Sequence, residues 1–65
     1  MKYKYCMYAA QLFRQPIDGG LIEYHVGNWI EYKHYPPEKI ENFIHRPAGW
    51  TYRSLTELEV FAILI

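Results

Sequence analysis

The sequence predicts an α+β fold: a small antiparallel sheet of about three strands, packed by a short helix and closed by a C-terminal helix. Three stretches predict it. Residues 21–35, LIEYHVGNWIEYKHY, alternate apolar and polar on either side of Gly27-Asn28 and stop at Pro36-Pro37, the pattern of a β-hairpin. Residues 36–45 carry Ile40, Phe43 and Ile44 on one helical stripe. Residues 54–65 open with Ser54-Leu55-Thr56-Glu57, a capping-box pattern, and place Leu55, Leu58, Phe61, Ala62 and Ile65 on a shared helical face.

The first segment is ambiguous. In residues 2–13, Lys2 and Lys4 alternate with Tyr3 and Tyr5 as in a strand continued by Met7 and Ala9. Residues 7–13 suit a helix ended by Pro16 equally well. The turn chemistry of Ile17-Asp18-Gly19-Gly20 favours a strand that returns antiparallel against the hairpin.

Three hairpin registers can be weighed, and two of them, those with a three-residue loop, stay open. A two-residue loop, Gly27-Asn28, mixes apolar and charged side chains on both faces. A three-residue loop gathers Ile22, Tyr24, Ile30 and Tyr32 on one face, as a one-sided core requires. With the loop Gly27-Asn28-Trp29, Glu23 faces Lys33 and His25 faces Glu31. With Val26-Gly27-Asn28 the turn chemistry improves, because Asn tolerates a left-handed backbone, but Glu23 faces Glu31. The shared apolar face is expected in either three-residue case.

After the hairpin, Pro36-Pro37 suit the first turn of a helix. Glu38 and Glu41 sit near its positive end, and His45 and Arg46 near its negative end. This helix is expected to pack on Ile22, Tyr24, Ile30 and Tyr32. Pro47-Ala48-Gly49 breaks it, and residues 50–53 look extended. In the last segment, residues 60–65 are apolar all round, so it is expected to be buried on several sides or to dock on something. A terminal strand is the rival reading for residues 55–65.

The hairpin residues Tyr24-His25-Val26-Gly27-Asn28-Trp29-Ile30-Glu31-Tyr32 are followed by Pro36-Pro37-Glu38, Glu41, Phe43-Ile44, Pro47, Gly49 and Tyr52. In spacing and residue type this series resembles the KTSC domain family, a set of short bacterial and phage domains. The resemblance covers residues 20–52. Both ends differ: the first strand has no serine-rich start, and Ser54-Leu55-Thr56-Glu57-Leu58-Glu59 stands where a polar-basic tail is expected. The resemblance implies a small α+β fold and a nucleic-acid-linked or phage setting, with no enzymatic residues to carry over.

Composition narrows the function classes. A chain of 65 residues makes one small domain, residues 1–65, and its 51% hydrophobic content is ample for a core. Seven basic residues balance seven acidic ones, so no global field draws nucleic acid or membrane. The single cysteine, Cys6, fits a reducing compartment. No leader-like apolar run opens the chain, and no span nears the roughly 20 apolar residues that cross a bilayer. A cytoplasmic location is expected.

His25, His34 and His45 are too widely spaced for a metal site, and Cys6 stands alone. Nothing sets a base beside Cys6 or Ser54, as nucleophilic catalysis requires. No enzyme activity, cofactor, metal or small-molecule substrate is expected. With aromatics at 18% of the chain, some rings must stay exposed, and a protein partner or homo-oligomer is expected to cover them. Trp29, Trp50, Tyr52 and Phe61 are the candidate contacts, with the apolar C-terminal edge. The alternative is a small nucleic-acid-binding domain using Lys2, Tyr3, Lys4, Tyr5, Lys33, Arg46 and Arg53, with rings for stacking and cations for phosphate.

Overall fold

A computed structural model describes residues 2–45 and 51–65. The chain is α+β, but the sheet has five strands where about three are expected. They are β1 (Tyr3–Tyr8), β2 (Gln11–Pro16), β3 (Glu23–His25), β4 (Trp29–Glu31) and β5 (Tyr52–Leu55). Their spatial order is β4-β3-β2-β1-β5, and every pairing is antiparallel. A 3₁₀ helix spans Ile40–His45, and α1 spans Glu57–Leu64.

Residues 2–13 resolve as strand, yet not as one strand. The chain reverses at Ala9-Ala10, and β1 pairs with β2 from Tyr3↔Pro16 to Tyr8↔Gln11. Both turn residues have positive φ, 53° and 61°. A two-residue hairpin loop with two positive φ values is the type I′ geometry, which Asn-Gly fills without strain. Nothing in Ala-Ala announces it. The Ile17–Gly20 turn does send the chain back, so that β3 pairs with β2.

The 21–35 hairpin forms around the loop Val26-Gly27-Asn28, with Gly27 at φ 86°. The register is His25↔Trp29, Tyr24↔Ile30 and Glu23↔Glu31. The left-handed residue of this loop is Gly27 and not Asn28. The facing carboxylates are tolerated because Glu23 pairs with Arg14 at 2.8 Å while Glu31, on the edge strand, is exposed. Tyr32 N–H donates to the Ile22 carbonyl at 2.8 Å, which extends the pairing beyond the strands proper.

Two cores flank the sheet. On one face, Cys6, Tyr8, Phe13 and Ile22 pack with Ile40 and Phe43 of the 3₁₀ helix, and Tyr24, Tyr32 and Tyr52 lean against them. On the other face, Leu12, Leu55 and Val60 form a smaller cluster beside Tyr5, Met7 and Trp29.

The first helix is shorter and tighter than residues 36–45 suggest. Tyr35 takes a positive φ of 49° ahead of the two prolines, and residues 36–39 are irregular. Helix begins only where Ile40 N–H donates to the Oε1 of Gln15 at 3.1 Å. Gln15 is buried, and its Nε2 also donates to the carbonyls of Glu38 at 2.8 Å and Gly20 at 3.1 Å. This one amide ties both loops to the sheet. A 3₁₀ helix has three residues per turn, so Ile40 and Phe43 share the inner side while Ile44 rotates outward and is exposed. The helix therefore sits over β1 and β2 and leaves Ile30 uncovered.

The C-terminal helix forms, but one strand later than its opening pattern suggests. Ser54 and Leu55 belong to β5, paired with Cys6 and Tyr5. Thr56 is the N-cap: its Oγ1 accepts from Glu59 N–H at 3.2 Å, while Thr56 N–H donates to Glu59 Oε1 at 3.0 Å. The capping box is thus Thr56-Glu59, and the expected inner face is overturned. Val60 is the only buried residue of α1; Leu58, Phe61 and Ile65 are exposed.

Candidate functional site

The strand alternation builds two distinct surfaces. On the face of the 3₁₀ helix, Tyr8, Phe13, Tyr24, Tyr32 and Phe43 form a ring cluster. Phe43 stacks on Tyr8 at 4.5 Å between centroids, and Tyr32 meets Phe13 edge-on at 5.1 Å. The helix covers only part of this cluster. Beside it lies a groove of about 620 Å³, lined by Tyr8, Phe13, Tyr24, Ile30 and Tyr32, with Glu31 and Lys33 also contributing. Its lining is mainly apolar, and it runs from the β1–β2 turn to the open edge at β4. An apolar concavity with a few polar groups is the ordinary form of a binding site.

On the opposite face, Arg14 is held between two rings. Its guanidinium carbon lies 4.3 Å from the Tyr3 ring centre and 4.2 Å from the Trp29 ring centre, and its Nε donates to Glu23 at 2.8 Å. Stacking on two rings and pairing with a carboxylate fixes the guanidinium plane. Alongside this row, α1 runs out from Val60 with large apolar side chains exposed. Leu58 is 79% and Phe61 60% exposed, and Ile63, Leu64 and Ile65 are also in water.

The four candidate partner contacts are not gathered in one place. Phe61 is exposed on α1. Trp29 is half-buried on the same side of the sheet, held by Arg14, by His25 at 5.0 Å and by Tyr5 at 6.3 Å. Tyr52 lies on the other face, half-buried against the Cys6 core, where burial raises its phenol pKa. Trp50 lies outside the described residues.

The nucleic-acid candidates are dispersed in the same way. Strand alternation sends Lys4 to one face and Tyr3 and Tyr5 to the other, so rings and cations do not interleave on one surface. Lys4 pairs with Glu41, and Arg53 lies 3.4 Å from Glu59. Lys2 is exposed at the start of β1, and Lys33 lies beyond β4 by the groove. Arg46 lies outside the described residues. The Lys4 ammonium, by hydrogen bonding to it, holds the Glu41 carboxyl below its usual value.

The two candidate nucleophiles are neighbours, because Cys6 pairs with Ser54 across β1 and β5. Burial pushes the Cys6 thiol up to about 12, with the nearby Glu41 charge adding to the effect. A thiol so far from its thiolate is a poor nucleophile. Among the described residues, no three His, Cys, Asp or Glu side chains come together as a metal-holding group, and no helix is long and apolar enough to cross a membrane.

The aromatic groove and the Arg14 stack escape a reading of the sequence by segments, since each joins residues from three or four strands. One signal was available. Once β2 is a strand, Phe13 and Arg14 must point to opposite faces, one to each cluster. Comparison with protein-family models, with curated proteins and with solved structures finds no match for this chain.

Proposed function

We propose that this chain is a non-enzymatic binding module that docks a protein partner through the apolar surface of α1. One observation carries the reading: α1 buries a single side chain, Val60, while Leu58, Phe61, Ile63 and Leu64 face water. Contiguous apolar surface of this kind marks interaction sites in small soluble domains. The charges of α1 are Glu57 and Glu59, both in its first turn, with no basic residue in the last. A helix that lies on an anionic membrane needs Lys or Arg along its polar side. The composition therefore favours an apolar groove on a protein. An accessory, inhibitor or adaptor role suits such a module.

The test is the double variant Leu58→Ser with Phe61→Ser. Both residues are exposed, so folding stability is expected to change by no more than about 0.5 kcal/mol at each site. Affinity capture with wild type and variant, read by mass spectrometry, is expected to show partners retained by the wild type alone. Equal capture by a folded variant refutes the reading. Loss of self-association in the variant, seen by sedimentation, would make the partner a second copy.

A further inference from the structure

The edge strand β4 has unused pairing capacity on a surface separate from α1. Tyr32 N–H donates to the Ile22 carbonyl, and Val26 N–H donates to the Asn28 carbonyl at 3.0 Å. In an antiparallel pair, hydrogen-bonded positions recur every second residue. Ile30 therefore points its backbone groups at Tyr24, while Trp29 and Glu31 turn their N–H and C=O groups outward. No strand lies beyond β4 among the described residues.

The side chains along this edge differ by face. Ile30, 43% exposed, borders the aromatic groove beside Tyr24 and Tyr32. On the other face one row crosses the whole sheet: Leu55, Tyr5, Arg14, Glu23 and Glu31. Arg14 is taken by Glu23, so Glu31 faces a like charge and has no ion-pair partner among the described residues. The next position in that row lies outside β4, and a cation there would face a carboxylate across the strand pair.

We infer that β4 is a docking edge for an extended peptide. The peptide adds as a sixth antiparallel strand, with a cationic residue opposite Glu31 and a large apolar residue opposite Ile30. Two peptide residues, opposite Glu31 and Trp29, exchange backbone hydrogen bonds with them. The residue between them points to the other face and packs on Ile30 at the groove's open rim, beside Tyr32. Main-chain bonds hold the peptide, while the groove rim and Glu31 select its sequence. Read from the peptide N-terminus, the core pattern is cation, large apolar, β-branched.

The probe is a blocked peptide, Thr-Lys-Phe-Val-Thr, titrated into ¹⁵N-labelled full chain. Saturable shift changes are expected at the amides of residues 29–32 and, more weakly, at Tyr24. Replacing the peptide lysine by glutamate should weaken binding about fivefold, within the range of cross-strand charge effects. N-methylation of the lysine and valine amides removes the donors to Glu31 and Trp29 and should abolish binding. In Glu31→Lys the preference should reverse towards the glutamate peptide; this variant also removes the repulsion from Glu23, so it is expected to fold.

Absence of saturable shifts at residues 29–32, or equal binding of the N-methylated peptide, overturns the inference; Glu31 would then only guard an open edge against aggregation. Shifts at those amides on raising protein concentration alone, without peptide, also overturn it and assign the edge to a second copy. The Leu58→Ser, Phe61→Ser variant should bind the peptide normally, so failure at α1 and failure at β4 are separable.

Discussion

The Ala9-Ala10 turn offers the sharpest energetic test of the fold. Both alanines adopt left-handed backbone, φ 53° and 61°, and the flanking pair Tyr8↔Gln11 closes a two-residue loop. A left-handed L-residue costs roughly 1–2 kcal/mol. Replacing Ala10 by Gly removes that strain at the second turn position, where type I′ turns favour glycine. The larger backbone entropy that Gly loses on folding offsets roughly 0.5–1 kcal/mol of the gain. A net stabilisation of about 0.5–1 kcal/mol follows, in a domain whose whole stability, at this length, is on the order of 3–10 kcal/mol. Ala10 is exposed, so no packing is lost, whereas Ala9 leans on the core and its N–H donates to the Thr51 carbonyl. Thermal unfolding followed by circular dichroism should show Ala10→Gly melting about 2–8 °C higher. Ala10→Val should melt lower, since a β-branched residue is a poor fit to positive φ. A lower melting point for Ala10→Gly would refute the turn geometry and with it the β1–β2 register.

Two further outcomes are expected. Phe43→Ala should cost about 3–5 kcal/mol, because Phe43 is buried at the contact of Tyr8, Phe13 and Tyr32; urea unfolding reads this directly, and a loss below about 1 kcal/mol would show that the 3₁₀ helix does not hold the core. The pH dependence should have an acid limb. Glu59 is lowered from 4.5 by the Thr56 backbone N–H, and Glu41 is lowered from 4.5 by its hydrogen bond from Lys4. A lowered folded pKa means stability present above the ordinary value and lost as pH falls through the folded one. Melting temperature should therefore drop below about pH 4.5, and Glu41→Gln with Glu59→Gln should flatten that drop; an unchanged acid limb would remove these two contacts from the account.

The sequence alone determined the elements whose signals are local. Alternation of period two marked β3 and β4, and Gly27-Asn28 marked their turn, because only a few residue types accept the loop backbone. The apolar run of residues 60–65 marked a helix or strand with more apolar surface than one neighbour could cover. Thr56 and Glu59 carried the true capping box within a stretch whose first four residues imitate one, and only the pairing of Leu55 with Tyr5 shows that the strand takes Ser54 and Leu55 first.

Tertiary structure decided the rest. A turn at Ala9-Ala10 has no local signature, since alanine prefers other backbone states, and it forms because pairing β1 with β2 buries Cys6, Tyr8 and Phe13 on one face and Leu12 on the other. Gln15 looks like a surface residue in sequence, yet its amide satisfies three backbone groups from two loops and so fixes where the 3₁₀ helix starts. The surfaces proposed to carry function are non-local in the same sense. Trp29 stands out in sequence as an exposed ring, but the fold spends it on Arg14, while Ile30 and Glu31, unremarkable as single residues, lie on an open strand edge because the sheet ends there among the described residues. Local backbone preference is a property of each residue. Which edge stays open and which face of a helix is left in water depend on how the layers stack.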